Sequence, residues 1–532
     1  MVQDCLHLLS SLLHANAANQ LMFRELGYLA QLPGLLVPEP PEGPPGVPQS
    51  MSAEKAANLT AALQTVNLLL LPLPEQRSSP AAAGGHANEA VLLQHGLLSA
   101  LLDRAVGADS TPDAGVRAQG LLCLAALAAG SQATRDMLAG TVVNVSASTT
   151  LPIMHAVLRA VIAGDSDAEA AAAEELIAAQ CSGNPTAQAA LASTIAPGAV
   201  HAFGGELLQG LLRHGGREEL LASSRASLAL AQLLSNNAEV KQRVLGVQLP
   251  PQQQQQQAGS VMAVCAQRLA TSVTAHGARP EGAQLVANFT LLMLRWLHNC
   301  PAAVGAFLTS VSQTPFLVGA VMSDGQFGEG SDVIRGMSAL LLGVCAKYAP
   351  AGAAISQATL GSAITGQIGV GRFLAAVDGV LAYAAASAAG NAARGVHFGS
   401  SSMATLSELA AEVRQQLAQM QAQGGAQAPH APPRPSASGG ASADARRPAP
   451  PSQHSVKPPP PASFGTVGSG AAGGDGLRPP PTHYGAAPAA AAPPETAPPS
   501  AAATSAGNAM HLQMCGKLRP CCILCIVWRC IA

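Results

Sequence analysis

Apolar residues, chiefly Leu and Ala, recur along this chain at steps of three and four, the period of a helix with one buried face. Between Leu291 and Leu308, Leu291, Leu294, Trp296 and Leu297 keep that period until Asn299-Cys300-Pro301 interrupts it. Pro301 stands where a new helix accepts proline, at its first position. Two helices therefore meet at one tight corner. The corner recurs with other residues: Asn16, Ser131, Asn184, Asn237 and Cys300 are each followed seven positions later by an apolar residue, Phe23, Leu138, Leu191, Val244 and Phe307. The intervals are 115, 53, 53 and 63 residues. They describe one period of 53, lengthened in the last interval by the run Gln252 to Gln257. The first interval is about two periods, with a corner hidden at Leu71-Pro72-Leu73-Pro74. Asn19 to Leu36 reads as a short helix, a stop at Gly27 and another apolar helix.

Repeats of this size and type belong to armadillo or HEAT arrays, here read as stacked helix pairs that bury their apolar faces only against their neighbours. No credible run of alternating strand residues is present, so the expected fold class is all-α: an armadillo/HEAT-like α-solenoid followed by a disordered Pro/Gly/Ala-rich tail. The repeat is expected to occupy 1–395. A short amphipathic helix follows at 402–421, where Leu406, Ala410, Val413, Leu417 and Met420 form a seam. No heptad continues past Gly424, so it reads as a capping helix and not as the start of a coiled coil. Residues 422–532 carry too few large apolar side chains to offset the entropy of ordering and read as a disordered tail. Val37 to Ser50 is a shorter Pro-rich loop, and the Gln run a solvent-exposed insertion.

Composition removes several functions. The net charge is −2 and charged residues make up 11%, which leaves no basic footprint for nucleic acid. No stretch is expected to reach the roughly 18 to 20 apolar residues of a spanning helix, and Met1 to Ser10 has no basic leader. Six of the eleven cysteines, Cys5, Cys123, Cys181, Cys265, Cys300 and Cys345, are scattered through helices as small core residues, which suits a reducing cytosol. With two Trp and four Tyr in the whole chain, a pocket rich in aromatic residues is not expected.

Candidate chemistry is thin, and the expected site list is empty: no catalytic residue, no cofactor and no metal. His7 and His14 are seven residues apart, about 10 Å along a helix axis, too far to share an ion. His95, His201, His214, His276 and His298 stand singly near helix ends, where they favour terminal carbonyls. Cys515, Cys521, Cys522, Cys525 and Cys530 include one C-x-x-C pair, short of the two pairs a zinc site needs. Palmitoylation beside Ile523 to Trp528 is chemically feasible, but this terminus reads better as translated intron. Ile368-Gly369-Val370-Gly371-Arg372-Phe373 lacks the third glycine and the strand of a phosphate loop, and Gly516-Lys517 lacks the upstream glycine. Glu174-Glu175 and Glu218-Glu219 are sequence neighbours on helices, hence on different faces, and read as solvated.

Several segments, in this order, resemble one family: VQDCLHLLSSLLHANAANQLMF from Val2, KQRVLGVQLP from Lys241, LRWLHNCPAAVGAFL from Leu294, TPFLVGAV from Thr314, GMSALLLGVCAKY from Gly336 and IGVGRF from Ile368. They resemble the armadillo-like head of the general vesicular transport factors, Golgi vesicle-tethering proteins, over about Val2 to Ala386. The resemblance implies a vesicle-tethering adaptor in endoplasmic reticulum-to-Golgi and intra-Golgi transport. It implies a cytoplasmic protein, peripheral on Golgi and transport-vesicle membranes, that binds a Rab-family GTPase, golgins and SNARE proteins and is a homodimer at full length. It carries over no catalytic residue, and it implies structural roles for Trp296, Asn299, Pro301, Leu341 and Gly343. The chain departs from the family in opening inside a repeat and in having the Pro-rich tail where a coiled coil is expected, the pattern of a truncated product. The alternative is an armadillo adaptor of another pathway, nuclear import or ubiquitin ligation. Import receptors line their groove with Trp and Asn ladders that two Trp cannot supply, and no ligase module is visible.

Overall fold

The structure is a computed structural model, and it describes residues 2–37, 51–71, 83–106, 111–146, 149–196, 198–199, 201–213, 215–249, 259–276, 280–309, 313–323, 330–388 and 396–426. Helix α1 (Val2–Leu13) leads into α2 (Ala17–Glu25), α3 (Leu32–Leu36) and α4 (Ala53–Leu70), then α5 (Ala83–Gln94), α6 (Leu97–Ala105) and α7 (Ala114–Gly130). Next come α8 (Gln132–Gly140), the strands β1 (Val142–Ser146) and β2 (Thr149–Pro152), α9 (Ile153–Ala163) and α10 (Asp167–Cys181). They are followed by α11 (Pro185–Ser193), α12 (Phe203–Leu212) and α13 (Arg217–Leu234). The next unit holds α14 (Ala238–Leu245), β3 (Gln248–Leu249), β4 (Gly259–Ser260), α15 (Val261–His276) and α16 (Pro280–Leu297). The last three-helix unit is α17 (Pro301–Thr309), α18 (Gln313–Met322) and α19 (Ser331–Tyr348). Helices α20 (Gln357–Ser362), α21 (Val370–Ala388) and α22 (Ser400–Ala426) complete it.

The all-α solenoid expected from the hydrophobic period is what the chain forms, but its unit is three helices, not two. Each predicted corner joins the long third helix of one unit to the short first helix of the next. Asn16, Ser131, Asn184 and Asn237 are N-caps whose side chains accept the backbone N–H three residues on, from Asn19, Thr134, Ala187 and Val240. The residue before three of these caps and before Cys300 turns the chain through a left-handed conformation: Ala15, Gly183, Asn236 and Asn299, at φ 50°, 62°, 54° and 54°. Seven positions after the caps, Phe23, Leu138, Val244 and Phe307 are fully buried, and Leu191 is half-buried.

The corners also bond to one another. Four residues after a cap, a long polar side chain reaches the next corner and donates to a carbonyl two residues before the next cap position: Arg135 to Ser182 at 3.0 Å, Gln188 to Ser235 at 2.8 Å and Lys241 to His298 at 2.5 Å. Trp296 closes the last of these by donating its indole N–H to the Lys241 carbonyl at 3.2 Å. Between the corners the third helices α4, α7, α10, α13, α16 and α19 pack successively side by side. One buried ion pair crosses that stack: Arg117 on α7 grips both oxygens of Glu169 on α10, at 2.7 and 2.8 Å, and reaches Asp165 at 2.6 Å.

Three expectations need correction. Two antiparallel hairpins, β1 with β2 and β3 with β4, stand between the first and second helices of their units; they are too short for alternation to show against the helical period. The Gln252 to Gln257 run falls between β3 and β4, outside the described residues, as do 38–50, the Pro72-Leu73-Pro74 segment and everything from 427 on. Helix α21 is long and apolar enough to span a membrane by length and composition, with mean hydropathy 1.3 over Val370–Ser387, because Ala and Gly replace polar residues on its outer side. Here it buries Phe373, Val377 and Val380, while Arg372 donates to the Met322 carbonyl and Asp378 pairs with Arg414. Finally, the helix expected over 402–421 runs from Ser400 to Ala426, with Leu406, Ala410, Val413 and Leu417 buried against α19 and α21.

Gly336 and Gly343 explain how α19 accepts these two late helices. A Cβ on Gly336 would lie 2.5 Å from the Ala376 carbonyl and from Val380 of α21, and one on Gly343 would lie 2.6 Å from Val413 of α22. Among the family-matching positions, Trp296 and Leu341 are fully buried and Pro301 opens α17.

Three outcomes follow from the corners and this close approach. Asn184→Ala and Asn237→Ala each lower unfolding stability by about 1 kcal/mol, more for Asn237, whose amide also donates to Gln188; urea denaturation measures this. Gly343→Val drives methyl groups into Val413, so trypsin cuts α22 faster than in the parent while far-ultraviolet ellipticity is retained. Burial lowers the Lys241 ammonium to about 8, from the ordinary lysine value of 10.5. Between those values the unfolded chain binds more protons than the folded one, so this group makes stability rise with pH in that window. Lys241→Met removes that part of the slope in thermal melts from pH 8 to 10.

Candidate protein-binding groove

A groove of about 950 Å³ crosses the third helices from α4 to α16. Its wall on each helix is a stripe at helical spacing: Leu122, Ala125, Ala126 and Ala129 on α7, and Leu221, Arg225 and Leu228 on α13. On α10 the stripe is mostly alanine, with Asp167, Glu174 and Glu175 as its charged members. Asn67 stands at the α4 end, and Gln284 and Asn288 at the α16 end.

The chain itself occupies the α16 end. Residues 396–399 pass through it without helical structure and bury Val396 and Phe398. The Gln284 amide pairs with both backbone groups of His397, its Oε1 accepting the His397 N–H at 2.7 Å and its Nε2 donating to the His397 carbonyl at 3.1 Å. A neighbouring β-strand would satisfy the same two groups. Gln284 also donates to Asn288, whose amide donates to the Ser224 hydroxyl on α13, so the contact is anchored to two helices. Tyr383 accepts the Val396 N–H on its hydroxyl, at 2.8 Å.

Beneath this strap lies a polar cluster. Ser401 accepts from Gln232 at 2.9 Å and from Arg295 at 3.2 Å, and Arg295 also reaches Thr405. Burial lowers the Arg295 guanidinium to about 10, against the pull of Glu174. Burial likewise raises the Glu174 carboxyl to about 7, against Arg295 and a hydrogen bond from Gln232. Glu174 is therefore less solvated than expected, half-buried in the groove wall, while Glu175, Glu218 and Glu219 are exposed as expected.

A second cluster joins α22 to the corner at Cys300. Glu412 accepts from Lys347 at 2.8 Å and Tyr348 at 2.9 Å, and lies 3.3 Å from His298 Nε2. Burial pushes the Glu412 carboxyl up, but the bonds from Lys347, Tyr348 and His298 together hold it below its ordinary value. His298 is thus not a lone histidine at a helix end: it is buried, edge-on to the Tyr348 ring. His298, Glu408 and Glu412 could converge on an ion, but the Lys347 ammonium already holds Glu412. Sequence reading missed both clusters, since Glu412 and Lys347 are 65 residues apart and no local pattern links them.

The remaining candidates stay apart. His7, His14, His95 and His201 are exposed, while His214 and the side chain of His276 lie outside the described residues, as do the C-terminal cysteines and Gly516-Lys517. His155, which the sequence did not single out, is buried 3.7 Å from Glu206, and burial lowers its pKa. Gly369, at φ 84°, turns the chain from a π-helical turn over Ala363–Ile368 into α21, with no strand before it. The cysteines of the described helices are free and, except for half-buried Cys5, buried; burial pushes Cys181 and Cys265 up to about 12, which leaves these thiols unreactive.

The arrangement has the parts of a surface that binds polypeptide. Residues 61–393 match the family described as Uso1 / p115 like vesicle tethering protein, head region. The chain is 28% identical over 357 residues to the general vesicular transport factor p115 of Mus musculus and 29% to that of Homo sapiens, covering 65% of this chain and 33% of each relative. It is 28% identical over 323 residues to Golgin candidate 6 of Arabidopsis thaliana, covering 57% of this chain and 34% of that one. The chain thus spans about a third of the length of these relatives. The fold is that of the crystal structures Uso1-1 (TM-score 0.59, 16% identity, 79% of this chain and 65% of that one) and Uso1-2 (0.52, 18%, 71% and 56%). With more than half of its residues matched to the family's head region, the chain belongs to the Uso1/p115-like vesicle-tethering proteins.

Proposed function

We propose that this chain is a vesicle-tethering adaptor in endoplasmic reticulum-to-Golgi and intra-Golgi transport, a solenoid that binds other proteins and performs no chemistry. The observation that carries this reading is the match of residues 61–393 to a tethering head region, on a fold that carries an open groove. Within the proposal, 1–395 is the partner-binding head, 402–421 lies in the helix that closes it, and 422–532 is a tail. The partners proposed are a Rab-family GTPase, golgins and SNARE proteins, with peripheral attachment to Golgi and vesicle membranes and homodimerisation in the full-length protein. An armadillo adaptor of nuclear import or ubiquitin ligation is not favoured, since the relatives it matches are transport factors and a golgin.

The test is the location of the tagged full chain in cells. It is expected on Golgi membranes, and depletion of Golgi Rab proteins is expected to disperse it. Uniform cytosolic signal, with no Rab or golgin recovered on the purified chain, would overturn the proposal.

A further inference from the structure

We propose that His298, Glu408 and Glu412 form a zinc site that pins α22 to the corner at Cys300, with water as the fourth ligand. The site stands apart from the tethering reading and needs no partner protein.

The ligands come from two elements already packed together. His298 follows α16 directly, where its backbone N–H donates to the Leu294 carbonyl and its own carbonyl accepts from Lys241. Its side chain is 8% exposed. Glu408 and Glu412 are four residues apart on α22, which puts both carboxylates on one face of the helix. One ligand atom from each of the three residues lies within 4.8 Å of the other two.

The spacing fits an ion. A tetrahedral ion with ligands at roughly 2.0–2.1 Å holds its ligand atoms about 3.3–3.4 Å apart. His298 Nε2 and Glu412 Oε1 are 3.3 Å apart, one edge of such a polyhedron. Lys347 and Tyr348 leave that edge open, because both donate to the other oxygen, Oε2, at 2.8 and 2.9 Å. They orient the carboxylate as outer-shell partners orient a metal-ligating one. The Asn299 amide, 3.2 Å from Nε2, donates to it in the tautomer that a metal requires. In that tautomer Nε2 and Oε1 face each other as two acceptors, and a cation between them replaces a repulsion with two bonds.

The donor set selects the ion. One imidazole nitrogen with two carboxylates suits zinc, whereas calcium and magnesium take oxygen donors and larger coordination numbers. The two carboxylates outweigh the single ammonium of Lys347, and exposed Glu408 opens the site to solvent.

Zinc is titrated by calorimetry into the purified full chain and into Glu408→Gln, a change at an exposed position. The eleven cysteines are common to both proteins and cancel in the comparison. Glu408→Gln is expected to weaken one equivalent by more than about 100-fold, since loss of an outer-shell partner alone costs about 10–100-fold. Zinc is expected to slow tryptic cleavage of α22 at Arg414 in the parent and not in Glu408→Gln, and calcium and magnesium to do neither. A loss of affinity below about tenfold, cleavage of the parent that ignores zinc, or equal protection by magnesium or calcium would overturn the proposal.

Discussion

The corner between a long third helix and the short first helix of the next unit is the constraint on which the rest depends. At most corners a residue in the left-handed conformation stops one helix and the next side chain caps its successor, so the direction of the turn is fixed within two residues. A polar side chain four positions on then ties that corner to the following one, and the same bond is made by Arg135, Gln188 and Lys241. Identical turns joined by equivalent bonds give each unit nearly the same placement on its neighbour, which is what a solenoid requires.

Because the corners set that placement, the third helices line up and their outward stripes become one surface. The α10 stripe is mostly alanine, so the surface is recessed, and the recess is a groove instead of a ridge. Its α16 end is closed by the chain's own residues 396–399, held by a side-chain amide on a helix. The cost of burying Arg295 is offset in part by its attraction to Glu174 and by the hydroxyls of Ser401 and Thr405. Helix α22 then docks where α19 has no side chain at Gly343, and Glu412 locks it to the last corner through Lys347, Tyr348 and His298.

Tethering, as proposed, asks no group in this protein to react. The thiols of Cys181 and Cys265 are raised by burial, and the polar clusters around Arg117, Arg295 and Glu412 join separate helices. They act as rivets that keep the groove wall in register, consistent with a surface whose work is recognition.

The sequence by itself determined the corners, because a cap, its left-handed neighbour and the apolar residue seven positions on are local features of the chain. Asn16, Ser131, Asn184 and Asn237 were legible as helix boundaries, and the 53-residue spacing as a solenoid, from side-chain chemistry alone. The second helix of each unit was not, since α3, α6, α9 and α12 begin without a side-chain cap, and the joints ahead of the second helices vary in length and include the β-hairpins. What only the tertiary structure decided is which distant residues meet. Glu412 beside His298, Gln284 against the backbone of His397 and Glu174 near Arg295 are each separated by more than sixty residues, and Glu174 read as solvated although the packed helices leave it half-buried. Local physics fixes where a helix begins and ends, but burial and pairing are properties of the stacked array, and they exist only once the units have packed.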